Sequence, residues 1–281
     1  MDRVLVVTDS SARLGTGSPR RPGLRTVPIT IYVGAEELRG DLGGTAAMIR
    51  EAFARDEPMK SSAPSAVEYL GAIEAGGAHD VLVITPAAEL TVMYRNACLA
   101  AELTDARVSV LDSRTAAAAQ GLVVEVAVQA ARAGASLEDV ERIAAAAARG
   151  AELVAALDGI EHVRRSGRVP SRVLGLAEHL GVRPVFRLRD GGVERLALPR
   201  SDRSALRRVV AESNRIGLTG STRRVVFHAG CVDRAEALVG MIGGADHVTE
   251  FSPAMTIHTG PGVVGVAWIG ARAEGPIGAG P

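Results

Sequence analysis

The sequence predicts a two-lobed α/β protein, with a mainly parallel sheet in the N-terminal lobe and a mixed sheet with helices in the C-terminal lobe. Three observations predict it. Short branched runs alternate with helical segments from Arg3 to Gly150, the pattern of a parallel sheet covered on both faces. After Gly150 the rhythm changes to short helices, a hairpin and isolated strands. The chain has 281 residues, of which 47% are hydrophobic and only 3% aromatic, so a core is available but must be built from small and branched aliphatic groups. The change of rhythm places the lobe boundary near residue 155, giving lobes 1–155 and 156–281.

Arg3 to Thr8 (RVLVVT) suits a buried strand, ended by Asp9-Ser10-Ser11. Residues 15 to 23, rich in Gly, Pro and Arg, read as a loop. Thr26 to Val33 is a second strand, with Pro28 favouring a sheet edge because it cannot donate to the ladder. Ser61-Ser62-Ala63-Pro64 reads as a helix start, hydroxyls before and Pro64 in the first turn, with the helix running to Gly76-Gly77. Asp80 to Thr85 is the next strand, then a helix from Leu90 to Leu103, a strand from Arg107 to Leu111 and a helix from Ala116 to Ala133, stopped by Gly134. Ser136-Leu137-Glu138-Asp139 resembles a capping box for a helix ending at Gly150.

In the second half Ala151 to Leu157 reads as a strand. Asp158 can cap a short helix to Arg165, ending at Gly167, and Ser171 another ending at Gly181. Val182 to Leu198 reads as a hairpin across Asp190-Gly191-Gly192. A basic amphipathic helix follows from Ser204 to Arg215, then a strand from Arg223 to Ala229, a helix from Asp233 to Ile242, and strands from His247 to Phe251 and Val263 to Ile269. The Gly/Pro-rich tail after Arg272 is expected to be mobile.

Composition excludes several functions. Lys plus Arg and Asp plus Glu both number 32, so a nucleic-acid partner, which needs a basic face to neutralise phosphates, is not expected. Cys98 and Cys231 give no metal spacing and no disulfide framework, and they read as reduced, buried thiols. No stretch approaches the roughly 20 apolar residues of a bilayer span, so no stable membrane insertion is expected and cytoplasm is the default. Gly15-Thr16-Gly17 lacks the third glycine of a dinucleotide loop, and no Walker sequence, G-x-S-x-G elbow or H-E-x-x-H is present. The six histidines show no ligand spacing. No cofactor and no metal are expected.

Four segments carry information together: VVTDSSA (Val6 to Ala12), MKSSAPS (Met59 to Ser65), RRSGRVP (Arg164 to Pro170) and IHTGPGVVGVAW (Ile257 to Trp268). With LDSRTAAAAQG between them and GVRPVFRLRDG before Arg200, the set resembles the DegV family over nearly the whole chain. HTGPG before a terminal strand is its most specific element. The resemblance implies a two-lobed α/β fold that holds one long-chain fatty acid in a tunnel between the lobes. It also implies a protein that is not itself an enzyme and that presents the acyl carboxylate to a separate fatty-acid kinase. The physics agrees in part: an aliphatic slot gains about 0.8 kcal/mol per buried methylene, while the carboxylate needs donors.

Carried over residue by residue, the resemblance puts Ser61 where the family has a threonine that hydrogen-bonds the carboxylate. Ser62 stands beside it, His258 near the carboxylate and Thr259 after it. Arg168 matches the arginine of a glycine-glycine-arginine element, with Ser166 replacing its first glycine. Arg200 matches an arginine implicated in kinase docking or phosphate handling, and Asp9 and Ser10 lie nearby. One departure stands out. The family's serine-serine-x-leucine-serine-glycine-threonine reads here Ala87-Ala88-Glu89-Leu90-Thr91-Val92-Met93, so the serine expected to hold the carboxylate is Ala87 and the turn is bulkier. Thr85 or a water is expected to compensate.

The residues leave other readings open. Ser61 and Ser62 can be helix caps, His258 can fix its own turn, and Arg168 and Arg200 can be solvated charges. Asp9 and Ser10 can simply end a strand. One alternative is a divergent small-molecule binding module that has lost kinase-coupled lipid handling, supported by Ala87 and Val92. Another is a hydrolase using Ser61 or Ser62 with His258 and Asp9, against which the missing nucleophile elbow speaks.

Overall fold

The computed structural model describes residues 4–14, 22–39, 44–174 and 181–270. Along the first half come β1 (Val4–Asp9), β2 (Leu24–Val27), β3 (Thr30–Val33), β4 (Glu36–Arg39), α1 (Thr45–Ala54), β5 (Met59–Ser62), α2 (Ala66–Glu74), β6 (Asp80–Thr85), α3 (Met93–Ala101), β7 (Arg107–Asp112), α4 (Ala117–Arg132) and α5 (Leu137–Gly150). The second half holds β8 (Ala151–Ala156), α6 (Glu161–Ser166), α7 (Ser171–Leu174), β9 (Val185–Arg189), β10 (Gly192–Ala197), α8 (Asp202–Ile216), β11 (Ser221–His228), α9 (Val232–Met241), β12 (His247–Glu250), α10 (Pro253–Thr259) and β13 (Val264–Gly270).

β1, β2, β6 and β7 form a four-stranded, all-parallel sheet in the order β2-β1-β6-β7. Every residue of β1 is buried, as a central strand covered on both faces requires. A six-stranded sheet, β10-β9-β8-β13-β11-β12, is antiparallel except for its β11–β12 pair. The predicted class, parallel first and mixed second, is the observed one. A small antiparallel sheet, β4-β3-β5, flanks the first.

That small sheet overturns two expectations. The run Thr26–Val33 is not one strand: β2 ends at Val27 on the edge of the parallel sheet, and the chain crosses at Pro28 into β3. Ser61 and Ser62 do not open a helix. They lie in β5, paired to Ile31 and Thr30, and the helix starts later at Ser65, whose hydroxyl accepts from Glu68 N–H in a capping box. α1 and β4 lie in a stretch without a sequence-based assignment.

α4 and α5 join the halves. α4 is buried along almost its whole length, and its Ala and Val side chains share one core with Val4, Val6, Leu82, Leu153, Phe186 and Phe227 from the two large sheets. A helix packed on both sides needs small residues to let the sheets approach, which accounts for the scarcity of aromatics. Ser136 caps α5, accepting from Asp139 N–H. The predicted hairpin is present as β9–β10, with Asp190 and Gly191 at φ 48° and 74°, the two left-handed residues of a type I′ turn. Asp158 does not cap α6; it pairs with Arg183. Residues 15–21, expected as a loop, residues 175–180, expected as helix, and residues after 270, expected as a mobile tail, lie outside the described residues.

Candidate functional site

Between the two large sheets lies a cavity of about 180 Å³, walled by aliphatic residues of both halves, among them Leu90, Met93, Leu153, Leu157, Leu188 and Val263. An apolar cavity of this size offers water too few partners and favours a hydrocarbon occupant. At one end the wall becomes polar: Ser61, Ser166, Arg168 and His258 belong both to this cavity and to an adjoining cleft lined by Lys60, His162 and Arg165, with Asp56 and Glu57 on its rim.

Three elements bring the polar end together. β5 holds Ser61 by its ladder to β3. α10, started by Ser252 as N-cap and Pro253, carries His258 in its last turn. The sequence placed His258 in a glycine-rich turn; the helix in fact includes it, and the turn begins at Gly260. Arg168 follows α6 after Gly167, whose φ of 66° ends the helix.

The hydrogen bonds fix a proton order. A guanidinium can only donate, so Arg168 Nη1 donates to His258 Nδ1 at 2.9 Å. A neutral imidazole with Nδ1 as acceptor carries its proton on Nε2. That Nε2–H then donates to Ser61 Oγ, 2.6 Å away. Ser61 Oγ therefore acts as acceptor toward the histidine, and its own O–H is free to donate into the cavity. Burial, and then the Arg168 charge, push the His258 pKa down to about 4, so the ring is neutral near pH 7. Arg168 is half-buried, and among the described residues no carboxylate pairs with it. A desolvated cation without a counter-ion is costly, and an anion at this point relieves that cost.

The other sequence-predicted residues take no part in the Arg168–His258–Ser61 hydrogen-bond chain. Thr259 lines the cavity, but its hydroxyl donates to Met255 O at 3.0 Å within α10. Ser62 is exposed, and its hydroxyl meets only Ala63 O at 3.5 Å. Thr85 is buried with an unpartnered hydroxyl and is not part of the cavity wall. Ala87 is also buried off the wall, its N–H donating to Thr115 O at 2.8 Å. Asp9 is buried and lines neither the cavity nor the cleft. It accepts from Ser11 N at 2.8 Å, from the Ser11 hydroxyl and from Gln120 Nε2 at 2.8 Å, and burial raises its pKa above the usual carboxylate value. Ser10 Oγ accepts from Ile29 N–H at 2.9 Å. Arg200 is exposed and borders neither the cavity nor the cleft.

The sequence reading missed Thr91 and Ser11, two hydroxyl residues in the cavity wall. Thr91 stands in the divergent segment where a serine is usual, which was the available signal. Val92, expected to crowd the turn, is 58% exposed and points its bulk outward. Lys60 and Arg165 in the cleft lie within the MKSSAPS and RRSGRVP segments, but the sequence reading gave neither a role.

A family model described as an uncharacterised protein of the DegV family matches residues 3–271. The chain belongs to the DegV family. A DegV domain-containing protein of Streptomyces coelicolor is 29% identical over 273 residues, covering 94% of this chain and 97% of the relative. Among solved structures, a DegV family protein from Thermus thermophilus, described by its fatty-acid binding, superposes with a TM-score of 0.86 at 24% identity, covering 95% of this chain and 99% of its own. A DegV family protein from Eubacterium eligens, loaded with heptadecanoic acid, gives 0.83 at 21% identity over 95% and 99% of the two chains. At these identities the likeness establishes the fold. Among the described residues no helix is long and apolar enough to cross a membrane, and no cluster of metal-ligating side chains is present.

Proposed function

We propose that this protein binds one long-chain fatty acid, with its acyl chain in the apolar cavity and its carboxylate at Ser61, His258 and Arg168, and presents the headgroup to a separate fatty-acid kinase. The observation that carries the reading is the pairing of an aliphatic slot with a half-buried guanidinium that has no carboxylate partner among the described residues, and a hydroxyl proton available at the same end. The chain supplies affinity at about 0.8 kcal/mol per methylene, and the polar end offsets carboxylate desolvation. The bound fatty acid of DegV relatives supports the same assignment.

Presentation rather than turnover is supported by the cleft. It opens beside the headgroup position and offers cations to an anionic reaction partner, with Arg200 on the outer surface as a docking contact. A hydrolase would need a carboxylate behind the histidine to stabilise an imidazolium. Here Nδ1 faces Arg168, which disfavours that charge, and Asp9 is engaged with Ser11 and Gln120.

Native mass spectrometry of gently purified protein tests binding: a co-purifying acyl carboxylate is expected, and protein free of any lipid that also fails to take up added fatty acid rejects the reading. Adding a purified bacterial fatty-acid kinase and ATP tests presentation. Lipid binding without acyl-phosphate formation would leave the divergent binding module as the better reading, for which the loss of a serine at Ala87 is the motivating observation.

A further inference from the structure

The cavity is polar at one end; toward the opposite end the two halves meet in a contact just behind its lining. β8 gives alternate residues Ala155 and Leu153 to the cavity wall, and Leu157, just past its end, continues the row. Leu157 adjoins the start of β13, just past the His258 helix, because Ala156 pairs with Val264. Leu153 pairs with Leu188, close to the β9–β10 turn. At about 3.3 Å per residue, Leu157 and Leu153 stand about 13 Å apart, so the hairpin tip lies at the far end from His258.

There the tip is clasped by the N-terminal half. Arg114 O accepts from Gly191 N–H at 2.7 Å, and Arg114 Nη2 donates to Asp190 O at 2.5 Å. The same Nη2 lies 3.3 Å from Glu89 Oε1. The Glu89 carboxylate covers Gly191 so closely that a Cβ there would come within 2.3 Å of it. Arg114 has φ 52°, a left-handed conformation unusual for a residue with a Cβ, and it offers both its carbonyl and its guanidinium to the tip. Each member of the clasp is next to the wall: Leu90 follows Glu89, Leu188 and Val193 flank the turn, and Ala116 follows Arg114 closely. The charged partners are 49% and 46% exposed, so the clasp holds weakly and can be loosened without disturbing the core.

Resting on the fatty-acid reading above, we propose that the Arg114–Glu89 clasp on the hairpin tip sets the length of acyl chain that the cavity accepts. The test compares wild type, Arg114→Gly, which keeps the left-handed backbone but removes the guanidinium, and the milder Glu89→Gln. Relative affinities are measured by competition across the even-numbered saturated acids from lauric to arachidic. Wild type is expected to lose affinity beyond a limiting length. The Arg114→Gly profile is expected to move to longer acids, with each newly buried methylene gaining about fourfold, while short acids bind unchanged. Profiles of both variants that superimpose on wild type overturn the proposal, as does a uniform loss at every length. Wild type that takes no fatty acid of any length overturns the underlying reading and this inference with it.

Discussion

Ser61→Ala is the sharpest perturbation of the headgroup site. The hydroxyl receives a hydrogen bond from His258 Nε2 at 2.6 Å, which leaves its own proton available to the proposed carboxylate. The substitution removes one hydrogen bond to a charged acceptor, worth about 1.5–3 kcal/mol, and affinity should fall roughly ten- to hundredfold. It also leaves the His258 Nε2–H unpartnered, which adds to the loss. Ser61→Thr keeps the hydroxyl and should bind near wild type. Ser62→Ala, one residue along β5 on its exposed side, should bind like wild type. Displacement of a fluorescent fatty acid, or calorimetric titration, measures all three. Equal affinity for Ser61→Ala and wild type, or equal losses for Ser61→Ala and Ser62→Ala, would refute the deduced proton order.

Three further outcomes follow from named groups. The unfolded chain protonates His258 near pH 6.5 and the folded chain only near 4, so the contribution of this group is complete above pH 6.5 and is lost as pH falls toward 4, by about 3 kcal/mol at most. Denaturation of ligand-free protein across that window checks this, and His258→Gln should flatten the slope. Gly265→Ala would place a Cβ 2.4 Å from Val154 O and 2.5 Å from the Phe227 ring, so overpacking should cost about 1–3 kcal/mol in chemical denaturation. Arg187 holds Glu152 through two bonds at 2.8 and 2.6 Å, with only 15% and 11% of the side chains exposed. Arg187→Met, which leaves that carboxylate only the longer Arg189 Nε contact at 3.5 Å, should cost up to about 3 kcal/mol, while the double variant with Glu152→Met should recover most of it.

The strands that were legible in the chain are those whose signal is local. VLVVTD and DVLVIT carry the unbroken apolar run of a strand buried on both faces, and Asp190-Gly191 carries the backbone freedom of a two-residue hairpin turn. MKSS carries neither. Its burial alternates weakly, and two hydroxyls before a proline look like a helix cap, so β5 is a strand only because β3 is there to pair with it. The helix cap belongs to Ser65, whose partner Glu68 stands three residues on.

The candidate site divides in the same way. Resemblance in the chain named Ser61, Arg168 and His258 separately, but nothing local in sequence joins them, because they are 197 and 90 residues apart in the two hydrogen bonds that link them. The roles of donor and acceptor, the depressed histidine pKa and the lack of a carboxylate on Arg168 among the described residues arise from burial and distance, which only the packing of α6, α10 and β5 around one cavity sets. The sequence by itself determined most of the strands and helices of the two large sheets, the aliphatic character of the core and the identity of the polar groups, since these depend on neighbours along the chain, but not α1 or the small β4-β3-β5 sheet. Tertiary structure decided which hydroxyls face the cavity and which are engaged elsewhere, as with Thr91 against Ala87 and Thr85, because orientation follows from contacts between segments far apart in the chain.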